Sequence, residues 1–175
     1  MNNYFIEDIN LNYNNSVYLE LIKKIKLLKK FNKPLLIKIN SHSCCGKTTF
    51  IINNNKNYRG LILYDFDWYS DDSRSSKLLE EKENNSVLFG CFHNEKKVLK
   101  NLVYLYVICP LNELYRNIVH RQLKQKRESY YNDPIHIKKI RKRIYSKIIK
   151  NKNQIEPLFY SFETALDFCI KAYND

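Results

Sequence analysis

The segment Ser41-His42-Ser43-Cys44-Cys45-Gly46-Lys47-Thr48 has the spacing GxxxxGK[ST] of a phosphate-binding Walker A loop, with Ser41 where the first glycine is usual. In such a loop, successive backbone N–H groups and the positive end of the following helix surround a β-phosphate. Lys47 then reaches the β- and γ-oxygens of ATP, and the Thr48 hydroxyl ligates Mg²⁺. The candidate nucleotide contacts are therefore Ser41, His42, Ser43, Cys44, Cys45, Gly46, Lys47, Thr48 and Thr49, the last more a helix residue than a metal ligand. The alternative is a plain turn between a strand and a helix, and the flanking elements and the basic charge argue against it. Serine at position 41 weakens the match, because glycine relieves strain at a tight turn.

Two carboxylates follow the next apolar run. Leu61-Ile62-Leu63-Tyr64 ends in Asp65-Phe66-Asp67, and strand alternation puts Asp65 and Asp67 on one face near the strand's carboxyl end. One of them can accept or orient the acceptor's proton while the other orients Mg²⁺. Asp65 is the candidate for the metal, and the division of labour between the two stays open. The plainer alternative is that they begin a solvated turn continued by Asp71 and Asp72. Trp68 and Tyr69 either line an acceptor pocket or belong to the core.

A third group is basic. Arg121 and Arg127, and after them Arg116, are candidates to neutralise charge on a phosphoryl group in transfer, if a mobile segment brings them over the loop. Such a lid also excludes water as a competing acceptor. For most of the later lysines a solvated helix face is the favoured reading. The four histidines have no metal-ligand spacing among themselves.

These residues need elements to hold them. Apolar residues at helical spacing with Pro34 closing the segment predict a leading helix over 16–31. A strand is expected over 35–39 and a helix over 47–52. Further strands are expected over 61–64, 87–92, 102–108 and 158–161, and a closing helix over 163–173. A long helical stretch opens near Pro110, which suits a first turn, and continues with breaks to Lys152. Strands alternating with helices imply a parallel sheet covered on both faces, with ligands at the carboxyl ends of the strands.

Bulk properties set the limits. At 175 residues the chain fits one domain: residues 1–34 with the leading helix, 35–52 with strand, loop and helix, and 116–152 as a basic lid. An apolar fraction of 44% excludes a disordered chain, and no apolar run is long enough to span a bilayer. The start of the chain lacks secretory signal features, so a soluble cytoplasmic protein with no membrane partner is expected. Five scattered cysteines show no disulfide framework or zinc spacing and read as reduced thiols. Within the loop, Cys44 and Cys45 are read as filling rather than as a redox pair. The Asn53-Asn54-Asn55 run is ascribed to the composition of an AT-rich genome. The net charge of +12 points to polyanionic ligands, and thirteen basic residues against two acidic ones lie between Arg116 and Lys152.

Taken together, the motifs resemble the P-loop nucleoside and nucleotide kinase superfamily, most of all the uridine kinase type. The resemblance rests on the leading helix, the loop around Gly46-Lys47-Thr48, the strand-end Asp65-Phe66-Asp67-Trp68-Tyr69 and the arginines 116, 121 and 127. It implies a P-loop NTPase three-layer α/β sandwich, an about five-stranded parallel sheet with helices on both faces and a helical basic lid. It also implies a kinase using ATP and Mg²⁺, with a nucleoside or nucleoside monophosphate as acceptor. The chain departs from this pattern at Ser41, at Phe89 in place of a strand-three carboxylate before Gly90, and in a short 72–86 segment. Two other functions stay in view. A nucleotide hydrolase is disfavoured, since Asn151-Lys152-Asn153-Gln154 lacks the base-reading aspartate and Phe66 stands where hydrolytic ATPases carry glutamate. A nucleic-acid-binding protein or polynucleotide 5′-hydroxyl kinase would use segment 116–152, with steep salt dependence.

Overall fold

The computed structural model describes residues 15–42, 44–65, 79–91, 101–124, 135, 138–139, 142 and 157–175. The leading helix α1 spans Asn15–Lys30 and sinks Leu21, Ile25 and Leu28 into the core at helical spacing. It ends in a Schellman turn. Asn32 takes a positive φ of 51°, Lys33 N donates to Leu28 O at 2.9 Å and Asn32 N donates to Lys29 O at 3.0 Å.

Strand β1, Leu36–Ser41, is buried along its whole length. Helix α2, Lys47–Asn53, follows the loop and closes with the same device. Asn55 has φ 50°, Lys56 N donates to Ile51 O at 2.9 Å and Asn55 N donates to Ile52 O at 3.0 Å. The asparagine run there has a structural use, because asparagine tolerates the left-handed conformation that ends a helix.

Strands β2, Asn57–Tyr58, and β3, Leu61–Asp65, form a hairpin absent from the sequence expectation. Its two central residues, Arg59 and Gly60, have φ 50° and 88°, the double left-handed pattern of a type I′ turn. Asn57 Oδ1 accepts from Gly60 N at 3.0 Å. The chain continues through β4, Ser86–Cys91, β5, Val103–Val107, α3, Leu111–Lys124, β6, Leu158–Phe159, and α4, Phe162–Asn174. The last strand is shorter than expected because Ser161 leaves it to cap α4, its Oγ accepting from Thr164 N at 3.1 Å.

One six-stranded sheet results, in the order β2-β3-β4-β1-β5-β6. Every pairing is parallel except the β2–β3 hairpin, so the expected five parallel strands carry a sixth, antiparallel edge. From central β1 the chain builds first toward β3 and β4, then toward β5 and β6. The order therefore reverses at β1, and crevices for ligands open at the carboxyl end of such a strand.

The larger core lies on the face of β1 that carries Ile37 and Ile39 and takes in residues from α1, α2, α3 and α4. Phe50 of α2, Phe89 of β4 and Phe162 of α4 meet there as a ring triangle with centroids 5.2–5.7 Å apart. Phe89 is fully buried in that triangle, which explains an apolar residue where a carboxylate was looked for. The opposite face carries a smaller cluster of Leu36, Leu79, Leu88, Leu102 and Tyr104. Among the described residues no helix is long and apolar enough to cross a membrane.

Candidate active site

The site forms where β1 ends. Ser41 is still a strand residue, in register with Cys91 on one side and Val107 on the other, and its Oγ lies 3.4 Å from Gly90 O. It is not among the residues of positive φ, so the strain that would require glycine at this position does not arise. His42 is buried, and its Nε2 accepts from Cys109 N at 3.2 Å, which ties the loop to the segment leaving β5.

The turn itself is carried by Cys44, φ 62°, and Gly46, φ 86°, with Cys45 outside the left-handed region between them. Alternating right- and left-handed residues point successive N–H groups into one concavity, the anion-binding arrangement called a nest. Helix α2 has only two turns. Lys47 is the first residue of α2 and is 6% exposed. A nearly buried lysine beside a turn of this kind suits a negatively charged ligand.

One residue on, the exposed Thr48 donates its Oγ1 hydrogen to Asp65 Oδ2 at 2.9 Å. This contact joins the start of α2 to the end of β3. Magnesium is commonly held by one or two carboxylates together with ligand phosphates and waters, and a hydroxyl–carboxylate pair is an oxygen donor set of that kind. Among the described residues no group of three or more His, Cys, Asp or Glu side chains gathers to hold a metal. Thr49, also in α2, is exposed.

The arginine candidates separate. Arg121 of α3 is half-buried, with Nη1 3.7 Å from Cys44 Sγ, and so reaches the loop. Arg116 is exposed and stands about 140° around the helix from Arg121. Ser43, Asp67, Trp68, Tyr69 and Arg127 lie outside the described residues, as does most of the basic segment beyond Lys124; residues 135, 138–139 and 142 within it are helical.

Two neighbours of the loop were not singled out by sequence. Asn117 donates from Nδ2 to Cys44 O at 3.0 Å, and its position four residues before Arg121 puts both on one helix face. Cys109 closes against the loop from the β5 side. Burial alone would push the Cys45 thiol up, but hydrogen bonds from Cys109 and His42 and the Lys47 charge bring it well below its ordinary value. The filling role expected of Cys45 therefore comes with a polar environment. Cys44, Cys45, Cys109 and Cys169 are all free thiols. Compared with models of protein families, with curated proteins and with solved structures, the chain matches none.

Proposed function

We propose that the protein is an ATP-dependent kinase that moves the γ-phosphoryl group to a hydroxyl or phosphate of a small acceptor, a nucleoside or nucleoside monophosphate. The observation that carries this reading is the Thr48 Oγ1–Asp65 Oδ2 hydrogen bond of 2.9 Å. It brings the hydroxyl of the loop motif together with a strand-end carboxylate, beside the nearly buried Lys47.

When bound, Mg²⁺–ATP would supply the transferable phosphoryl group and the divalent charge that offsets its oxygens. The amides of residues 44–46 would hold the β-phosphate, while the Lys47 ammonium neutralises oxygens of the β- and γ-groups. Thr48 and Asp65 would hold the metal. Arg121, already against Cys44, has the reach and the planar fork to follow charge on the phosphoryl group. Asp67, two residues beyond Asp65, is the candidate to orient the acceptor hydroxyl. Phosphoryl transfer asks a protein for positioning and electrostatic stabilisation, and these groups contribute both.

The test is to incubate the protein with γ-labelled ATP and Mg²⁺ in the presence of nucleosides, nucleoside monophosphates or 5′-hydroxyl oligonucleotides. Label on a nucleoside or monophosphate supports the proposal. Label on oligonucleotides redirects it to a polynucleotide kinase, and free phosphate alone makes the protein a hydrolase.

A further inference from the structure

Cys44 poses a structural question. It is a side-chain-bearing residue held at φ 62°, a conformation uncommon outside glycine and asparagine. Such a residue persists where its surroundings over-determine it. One such constraint comes from outside the loop. Asn117 Nδ2 donates to Cys44 O at 3.0 Å, and the same nitrogen lies 3.9 Å from where a Cβ on Gly46 would sit. The carboxamide therefore stands over the turn between the two left-handed residues.

The amide is itself held in place. Leu114, three residues before it, and Ile118, next to it, are both buried in the main core. A donor fixed by core packing and aimed at the Cys44 carbonyl keeps that peptide group turned one way. With the Cys44 carbonyl turned toward Asn117, the Cys45 N–H of the same planar trans peptide points the opposite way.

We infer that Asn117 is a positioning residue for the phosphate site: its side-chain amide holds the Cys44 peptide so that the loop amides converge on the β-phosphate before any ligand arrives. The inference rests on the phosphate-loop reading of residues 41–48. It assigns α3 a second task besides carrying Arg121. Movement of α3 is then coupled to the shape of the loop, because Asn117 and Arg121 both end on Cys44.

The test compares wild type with Asn117→Ala and with Asn117→Asp, which keeps the size but replaces the donor by an acceptor. Affinities for ADP, inorganic tripolyphosphate and AMP are measured by calorimetry, and amide exchange at residues 44–46 is followed in the ligand-free protein. Loss of one hydrogen bond predicts about three- to tenfold weaker ADP and tripolyphosphate binding in Asn117→Ala. AMP, which lacks a β-phosphate, should change little, and exchange should accelerate in the loop but not across the sheet. In Asn117→Asp the loss should be at least as large, since a carboxylate there repels both the carbonyl and the phosphates. Equal loss for all three ligands, or unchanged affinity and exchange, overturns the positioning role while leaving the phosphate site intact. If wild type binds neither ADP nor tripolyphosphate, the phosphate reading itself fails and the role assigned to Asn117 goes with it.

Discussion

Thr48 and Asp65 stand 17 positions apart in the chain and 2.9 Å apart in space. The motif that contains Thr48 is local, so spacing alone was enough to single it out, together with Lys47 and Gly46. Asp65 was legible only as a carboxylate at the end of an apolar strand; that it meets Thr48 depends on β3 lying two strands from β1. Asn117 was not legible, because nothing in the sequence marks which residue of a helix will face a loop some 70 positions earlier. Asp65→Asn isolates the charge, since the amide keeps the shape and can still accept from Thr48. Its expected outcome is a Tm within a few degrees of wild type, loss of the Mg²⁺-dependent part of nucleotide affinity, and a transfer rate lower by about 10²-fold or more. Nucleotide titrations with and without Mg²⁺, beside a melting curve, check it.

At the scale of elements, the apolar runs located the five parallel strands, since strands buried on both faces read as continuous hydrophobic stretches. The β2–β3 hairpin escaped notice because β2 is two residues long and its turn uses Arg59, an uncommon residue for a positive φ, before Gly60. The place of Phe89 likewise became intelligible only with the packing: Phe50, Phe89 and Phe162 come from three separate elements and close one aromatic cluster beneath the site. Truncating Phe89 to Ala should cost about 3–5 kcal/mol through lost burial and a residual cavity. In a chain of this length that is roughly 10 °C in Tm, read by calorimetric melting. Because α2 loses a partner under Phe50, nucleotide affinity should weaken as well.

At the scale of the whole molecule, the strand order puts a topological switch at the carboxyl end of β1, where the loop, Asp65 and the start of α3 gather. The net charge of +12 suits a polyanionic ligand but identifies none, since a triphosphate and a nucleic acid draw on the same field. Global stability also carries a pH signature. Burial pushes the Cys169 thiol from its ordinary 9.0 up to about 12. A folded-state value raised in this way contributes stability that is complete below 9 and is lost as pH rises toward 12. Tyr58, raised by desolvation and by its bond to Asp167, acts in the same direction. Cys45 is shifted the other way, so its contribution is lost as pH falls through its lowered value. Wild-type Tm should therefore decline between pH 9 and 11, and Cys169→Ala, though less stable at pH 8, should decline less steeply. Melting curves across that range decide it; parallel slopes would remove Cys169 from the account.

The most direct test of the central claim is calorimetric titration of Mg²⁺–ADP into the folded protein and into Lys47→Ala. If the amides of residues 44–46 and the ammonium of Lys47 grip a polyphosphate, wild type binds one nucleotide per chain. The variant, with an unchanged fold by circular dichroism, then binds at least about tenfold more weakly. Well-folded wild type that takes up no nucleotide, or a Lys47→Ala variant that binds it equally well, would contradict the claim.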